Sequence, residues 1–532
     1  MVNLCQGLAD MRKIITVTVI LCCLCLLVTA CGANYDAHKI QTTPETLEDV
    51  LAIALARRQA LQRPNSDRIA QFTEGRAPVP DALPASSVRL QFGPRIISTE
   101  DVLYDIDVFF SALRGLYALY IYYGGDDVFL PLWDGMIETV NTQPEWSRQE
   151  LEYLFYTKLS YVIIDEHFIV PDSNAPRGSA SLGRNYGFFT YDGRFDKSAA
   201  GFVNQAGLYV RQLLLPCRPC MVLDPQDIFR LSMDETGGSF FYVPIVIADM
   251  SRGGPAPKEL TIVYECGQSE TVGLRLLEER AAPPWAGGLM GPSIEYVQDV
   301  PVLIHRGGFT LDYEAIVQFL DTAELLRDEP VFILDLRGNG GGVSTAMDAW
   351  FYRLTGQYVP RVFHGLFTYA NTWELSPQEG YTTSLERFKA RESRPTVAPP
   401  YVTAPSYNRF DENHMIVNNP PHEIVSRDQL MIILVDGQTG SAAEWMMGHV
   451  FSMENTLVVG QNTMGCMLSG GTFNLRLPNS AFLFRIPNLM TIFPEGFFQE
   501  SVGIAPDIWV AGCALEAALG MINTHFFQQP AD

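Results

Sequence analysis

Met431-Ile432-Ile433-Leu434-Val435-Asp436-Gly437-Gln438-Thr439-Gly440-Ser441-Ala442-Ala443-Glu444-Trp445 is an apolar, strand-like run that breaks at glycine and delivers a hydroxyl onto the start of a helix. Small residues on both sides of Ser441 let a carbonyl group approach it. The unpaired N–H groups of a helix's first turn favour negative charge, so one element can present an attacking oxygen and part of an oxyanion site. Taken alone, the stretch reads first as an ordinary strand-to-helix turn with a serine cap.

About a hundred residues upstream, Val331-Phe332-Ile333-Leu334-Asp335-Leu336 runs into Arg337-Gly338-Asn339-Gly340-Gly341-Gly342, a second strand-to-loop transition of the same kind. Glycines packed this densely cost backbone entropy that a plain turn does not need, and suggest backbone N–H groups brought against a ligand. A phosphate loop would end in Gly-Lys-Ser/Thr and a dinucleotide site would carry its own glycine spacing; neither pattern is present.

Asp-Leu-Arg-Gly-Asn-Gly-Gly-Gly followed by Ser-Ala-Ala-Glu after a strand resembles the C-terminal processing, or tail-specific, serine proteases. The resemblance continues through Val458-Val459-Gly460-Gln461-Asn462-Thr463-Met464-Gly465 and through Glu500-Ser501-Val502-Gly503-Ile504-Ala505-Pro506-Asp507, which is similar to the family's closing Glu-x-x-Gly-Ile-x-Pro-Asp segment. It implies an α/β fold: a crotonase/ClpP-like spiral protease core with an N-terminal helical domain and a β-rich middle domain, PDZ-like or degenerate. Crotonase-type enzymes are the rival on a related fold, since they hold a thioester enolate with paired backbone N–H groups. The Ser-Ala-Ala-Glu placement and the Pro-Asp segment favour the protease.

Members with a Ser–Lys dyad carry Gly-Lys-Gly after the next strand, where this chain has Gly465-Cys466-Met467, and no lysine follows Ser441. A serine hydroxyl still needs a base. The tricorn-like Ser-His-Glu branch uses histidine, and His167 is the best match, in Asp165-Glu166-His167-Phe168 after the helical region. Two helices precede it. One has Ser98 and Asp101 as a capping pair with Val102, Ile106, Phe109, Leu113, Leu116 and Tyr120 at three-to-four spacing. The other has Ser147 and Glu150 as a capping box before Leu151, Leu154, Phe155 and Leu159.

Glu500 is the expected third member, with Glu495 as fallback. The oxyanion donors expected are the backbone N–H of Ala442 and one from Gly340 or Gly341. His305, within an apolar strand, reads as structural, and His449 lies about two turns and roughly 12 Å along the helix from Ser441. If Cys466 replaces the dyad lysine it borders the site, where a thiol could be reactive. The expected chemistry is hydrolysis of protein or peptide substrates through an acyl-enzyme on Ser441, with no metal or organic cofactor implied. The alternative is a catalytically silent pseudoprotease that binds peptides or apolar ligands. The separation of the His167 imidazole from Ser441 Oγ decides between them.

At the N-terminus, Arg12-Lys13 precedes the apolar run Ile14 to Ala30, and Leu27-Val28-Thr29-Ala30-Cys31 resembles a bacterial lipobox. The run is short for a membrane span but suits a signal peptide. This implies lipidation of Cys31, membrane attachment through that lipid, and a location in the bacterial cell envelope outside the cytoplasm. The formal charge of −23 argues against nucleic acid and against a basic membrane-binding face.

With 532 residues and 47% hydrophobic content the chain can bury a large core. The expected divisions are the signal peptide and lipobox (1–31), a tether (32–95) with a short helix near Leu51 to Leu61, the helical domain (96–170), the middle domain (171–295), the protease core (296–515) and a tail (516–532). An insertion from about Thr355 to Arg427 would cover the site. Cys217-Arg218-Pro219-Cys220 reads as a local disulfide or a pair of free thiols, with no second pair at zinc spacing.

Overall fold

The structure, a computed structural model, describes residues 42–62, 64, 66–73, 95–172, 179–216, 221–251, 256–277, 291–309, 312–342, 344–368, 409–410, 414–417 and 423–527. The signal run with Cys31, the Cys217/Cys220 pair and most of the Thr355–Arg427 insertion lie outside them.

The two apolar runs form adjacent strands in the parallel part of a large mixed sheet. Val331–Asp335 and Leu430–Val435 are buried at every residue, as expected of strands covered on both faces. They pair in parallel, with Ile333 opposite Ile432, between Val300–Ile304 on one side and Thr456–Gly460 on the other. Ile508–Trp509 extends the parallel set next to Thr456–Gly460. Parallel neighbours deliver their C-terminal ends to one edge, so the glycine loop after Asp335 and the turn after Val435 emerge side by side.

Strands from the 171–295 interval join this sheet directly. Phe229–Met233 lies parallel to the last core strand through Ser232 and Trp509, then pairs antiparallel with Phe240–Asp249, which pairs with Tyr186–Thr190. A separate four-stranded sheet is built from Ser269–Gly273, Glu259–Tyr264, Val210–Leu215 and Met221–Leu223.

The helical region begins where the capping residues place it. Ser98 accepts the Asp101 N–H ahead of Thr99–Leu116, and Ser147 and Glu150 form a capping box ahead of Arg148–Ser160. A third helix, Asp126–Val140, lies between them with Pro131 inside it. That proline hides the helix from a sequence reading, because it removes one backbone donor and breaks the helical pattern.

These helices dock on the hairpin of Ser469–Arg476 and Leu483–Ile492. Phe109 and Phe155 face Phe484 at 4.5 and 5.1 Å between ring centroids. Asp105 accepts the backbone N–H groups of Asn479 and Ser480 at the hairpin turn, at 2.9 and 2.7 Å. Directly after His167, the short strand Ile169–Pro171 adds to the same sheet, with Ile169 opposite Arg485.

The helix expected near Leu51 to Leu61 spans Leu47–Ala60 and is docked rather than free. Arg58 reaches Thr456 O at 2.8 Å and Asp507 Oδ2 at 2.9 Å. Arg57 reaches Asp507 Oδ1 at 3.1 Å and Ala505 O at 3.0 Å. No helix among the described residues is long and apolar enough to cross a membrane.

Candidate active site

Ser441 stands at the head of the helix Ala442–Val450 with φ +51° and ψ −115°, a backbone conformation that residues with a Cβ rarely adopt. Two features hold it there. Gly440 keeps the turn clear, since a Cβ would fall 2.8 Å from both Cys466 Sγ and Met464 Sδ and force those side chains to shift. Glu444, fully buried, accepts Ser441 N–H at 2.9 Å, Gly465 N–H at 2.8 Å, Cys466 N–H at 2.9 Å and the Thr463 hydroxyl at 2.6 Å. One carboxylate thus ties the serine turn to the loop after Thr456–Gly460. Burial pushes its pKa up, and the bonds from Thr463, Cys466, Gly465 and Ser441 pull it down. The Ser441-x-x-Glu444 spacing is a capping-box signature that could have revealed this carboxylate from the sequence.

His167 Nε2 lies 3.2 Å from Ser441 Oγ, across 274 residues of chain. The pairing of Ile169 with Arg485 fixes the strand that follows His167, and Asp165 fixes the turn before it. Asp165, with no exposed surface, accepts the His167 backbone N–H at 3.0 Å, the Tyr117 hydroxyl at 2.8 Å and the Ser469 hydroxyl at 2.5 Å. Burial lowers the His167 pKa below its ordinary 6.5; the Asp165 charge raises it and the Arg485 charge lowers it. Nδ1 is buried and meets no acceptor among the described residues.

Glu500, expected to orient the imidazole, does so only at one remove. Its oxygens accept the backbone N–H groups of Glu166 and Leu468, each at 2.9 Å, so it holds the residue next to His167 rather than the ring. Burial, followed by the nearby Asp165 charge, pushes its pKa well up. The acid whose charge reaches the imidazole is Asp165, two residues from it in sequence. Nothing in the local pattern Asp165-Glu166-His167 signals that role.

The glycine loop lies against Ser441. A Cβ on Gly341 would sit 2.6 Å from Ser441 Cβ and 2.8 Å from Ala442 N, so only glycine fits. The two candidate glycine donors differ, however. Gly341 gives its N–H to Asn339 Oδ1 at 3.0 Å, whereas Gly340, exposed, donates to no acceptor among the described residues. Asn339 is the fastener of the loop: its Nδ2 donates to His305 O at 2.7 Å, and its carbonyl accepts Gly440 N–H at 2.9 Å. Ala442 opens the helix, where its N–H has no carbonyl a turn earlier to bond.

The remaining candidates are elsewhere or inert. His305 is buried against Phe319 and Phe309, and desolvation lowers its pKa to about 4. His449 Nδ1 bonds Val359 O at 2.8 Å, and its Nε2 stands 3.0 Å from Asp348 Oδ1. Cys466 does border the serine turn, but burial and the surrounding carboxylates push its thiol well up, so it stays protonated rather than reactive.

Residues 304–510 match the family model described as Peptidase family S41. Solved structures similar to this chain include mature CPAF, at 14% identity over 79% of this chain and 94% of that one with a TM-score of 0.37. The photosystem II D1 C-terminal processing protease is similar at 14% identity over 81% of this chain and 99% of that one, TM-score 0.34. A lipoprotein from Streptococcus agalactiae is similar at 16% identity over 44% and 70%, TM-score 0.28. No curated protein matches the sequence. The matched segment is a mixed α/β domain of the S41 peptidase fold, and the enzyme class is that of serine peptidases, which are hydrolases.

Proposed function

We propose that this S41 peptidase acts as an endopeptidase of the family's histidine-using branch, with Ser441 as nucleophile and His167 as its general base. The observation that carries the reading is the 3.2 Å between His167 Nε2 and Ser441 Oγ. Neutral His167 takes the hydroxyl proton as Oγ attacks a peptide carbonyl, and the N–H groups of Ala442 and Gly340 receive the negative oxygen. The imidazolium returns its proton to the leaving amine, which departs and leaves an ester on Ser441. A water molecule, deprotonated by the same imidazole, then hydrolyses that ester. Asp165 favours the imidazolium through its charge, and Glu500 keeps the His167 turn seated through the Glu166 amide.

The substrate class is protein or peptide, taken in extended form. The lipobox-like Leu27-Val28-Thr29-Ala30-Cys31 supports lipid attachment at Cys31 and a place in the cell envelope outside the cytoplasm.

A fluorophosphonate probe tests the chemistry. Labelling should occur on Ser441 and be lost in both Ser441→Ala and His167→Ala; labelling that persists in His167→Ala would remove the base from this scheme. Attachment is read separately, by detergent partitioning of the full chain against Cys31→Ala.

A further inference from the structure

Arg485 lies on the strand Leu483–Ile492, directly opposite Ile169 and so two residues of chain from His167. Residues facing one another across an antiparallel pair project to the same side of the sheet. Its neighbours Phe484 and Ile486 point the other way, buried in the core shared with the helical region. Arg485 itself is exposed, and its side chain makes no hydrogen bond or ion pair to the described residues. Its charge nonetheless reaches the His167 imidazole.

The chain around it is strongly acidic, with a formal charge of −23. The acids behind His167 do not neutralise it: Asp165, Glu166 and Glu500 are engaged with Tyr117, Ser469, Ser181, Ser501 and backbone amides. A guanidinium left unpaired beside a general base opposes the imidazolium that forms during the reaction. A substrate carboxylate would remove that opposition and add a charge-assisted, two-pronged hydrogen bond.

We propose that Arg485 is a specificity-determining residue that engages a carboxylate of the substrate close to the scissile bond. The inference rests on the Ser441–His167 reading above. The carboxylate is either an Asp or Glu side chain or the substrate's own C-terminus, and the same guanidinium geometry serves both.

The test uses the full-length protein and matched quenched-fluorescence peptides. One series places Glu or Gln at each position around the cleaved bond; the other pairs free with amidated C-termini. For the parent, kcat/KM should favour one carboxylate over its neutral partner, and that ratio should fall roughly tenfold in Arg485→Gln. It should invert toward Lys-containing peptides in Arg485→Glu and recover in part in Arg485→Lys. The acid limb of the pH profile should also move to higher pH in Arg485→Gln, since a cation near His167 has been removed. A Glu/Gln effect identifies a side-chain carboxylate, and a free/amide effect identifies the terminus. Both ratios unchanged in Arg485→Gln, with Ser441 still labelled by fluorophosphonate, would overturn this inference and spare the catalytic one. Absence of Ser441 labelling in the parent would bring down both.

Discussion

Burial sets the working range of His167. Its pKa lies below the ordinary 6.5, so the imidazole is neutral and able to accept a proton at physiological pH. The acid limb of kcat/KM should therefore have its midpoint below pH 6.5, measurable with an uncharged peptide ester across pH 4.5 to 8. Glu444 poses a different problem, since four donors converge on one buried carboxylate. In Glu444→Gln the amide NH2 would face N–H donors, at a cost of roughly 2–4 kcal/mol in stability. A denaturant titration should show that loss together with weaker fluorophosphonate labelling, because the Ser441 turn loses its fastener. Ser441 was legible as a candidate because a buried strand, a glycine and a helix start coincide in one stretch. Asp165 and Asn339 were not, because their roles lie in hydrogen bonds to distant backbone, which no local pattern records.

Two elements explain why the recognisable motifs have the residues they do. Gly503, in the Glu-x-x-Gly-Ile segment, has φ +82°, and a Cβ there would fall 2.1 Å from the Thr463 carbonyl oxygen. Gly503→Ala should destabilise the protein by about 3 kcal/mol or more, read as a lowered urea midpoint at unchanged slope. At the end of the strand Val300–Ile304, His305 is buried with neither ring nitrogen bonded to a described residue. Its pKa falls from 6.5 to about 4 on folding, so the unfolded chain binds the proton more readily. Stability is therefore lost as pH falls from about 6.5 toward 4, and His305→Phe should flatten the drop in Tm over that interval. Capping residues and apolar spacing were enough to find Thr99–Leu116 and Arg148–Ser160. They failed at Asp126–Val140, where Pro131 interrupts the pattern and tertiary packing overrides it.

At the scale of the whole molecule, the order of motifs in the sequence anticipates a shared site but not how its parts are held together. The helical region docks through Phe109, Phe155 and Asp105, all on a hairpin that belongs to the other end of the chain. The helix Leu47–Ala60 docks through Arg58, whose pairing with Asp507 is buried at 1% and 3% exposure. Arg58→Ala would leave Asp507 with Arg57 as its remaining cation, a loss of roughly 1–3 kcal/mol. Limited proteolysis should then cut this helix well before the core. Composition suggested a loose tether there because the surrounding residues are polar and rich in proline. The anchoring contact is made by two charged side chains that look solvent-facing in a linear reading.

The hydroxyl and the imidazole are separated by 274 positions, and the imidazole comes first. A ribosome therefore finishes His167 long before it reaches Ser441, and the two meet only after the closing hairpin has folded back against the opening helices. On the proposed chemistry, an incomplete copy carries only half of the machinery and cleaves nothing. On that same chemistry, competence arrives last, as a by-product of successful assembly.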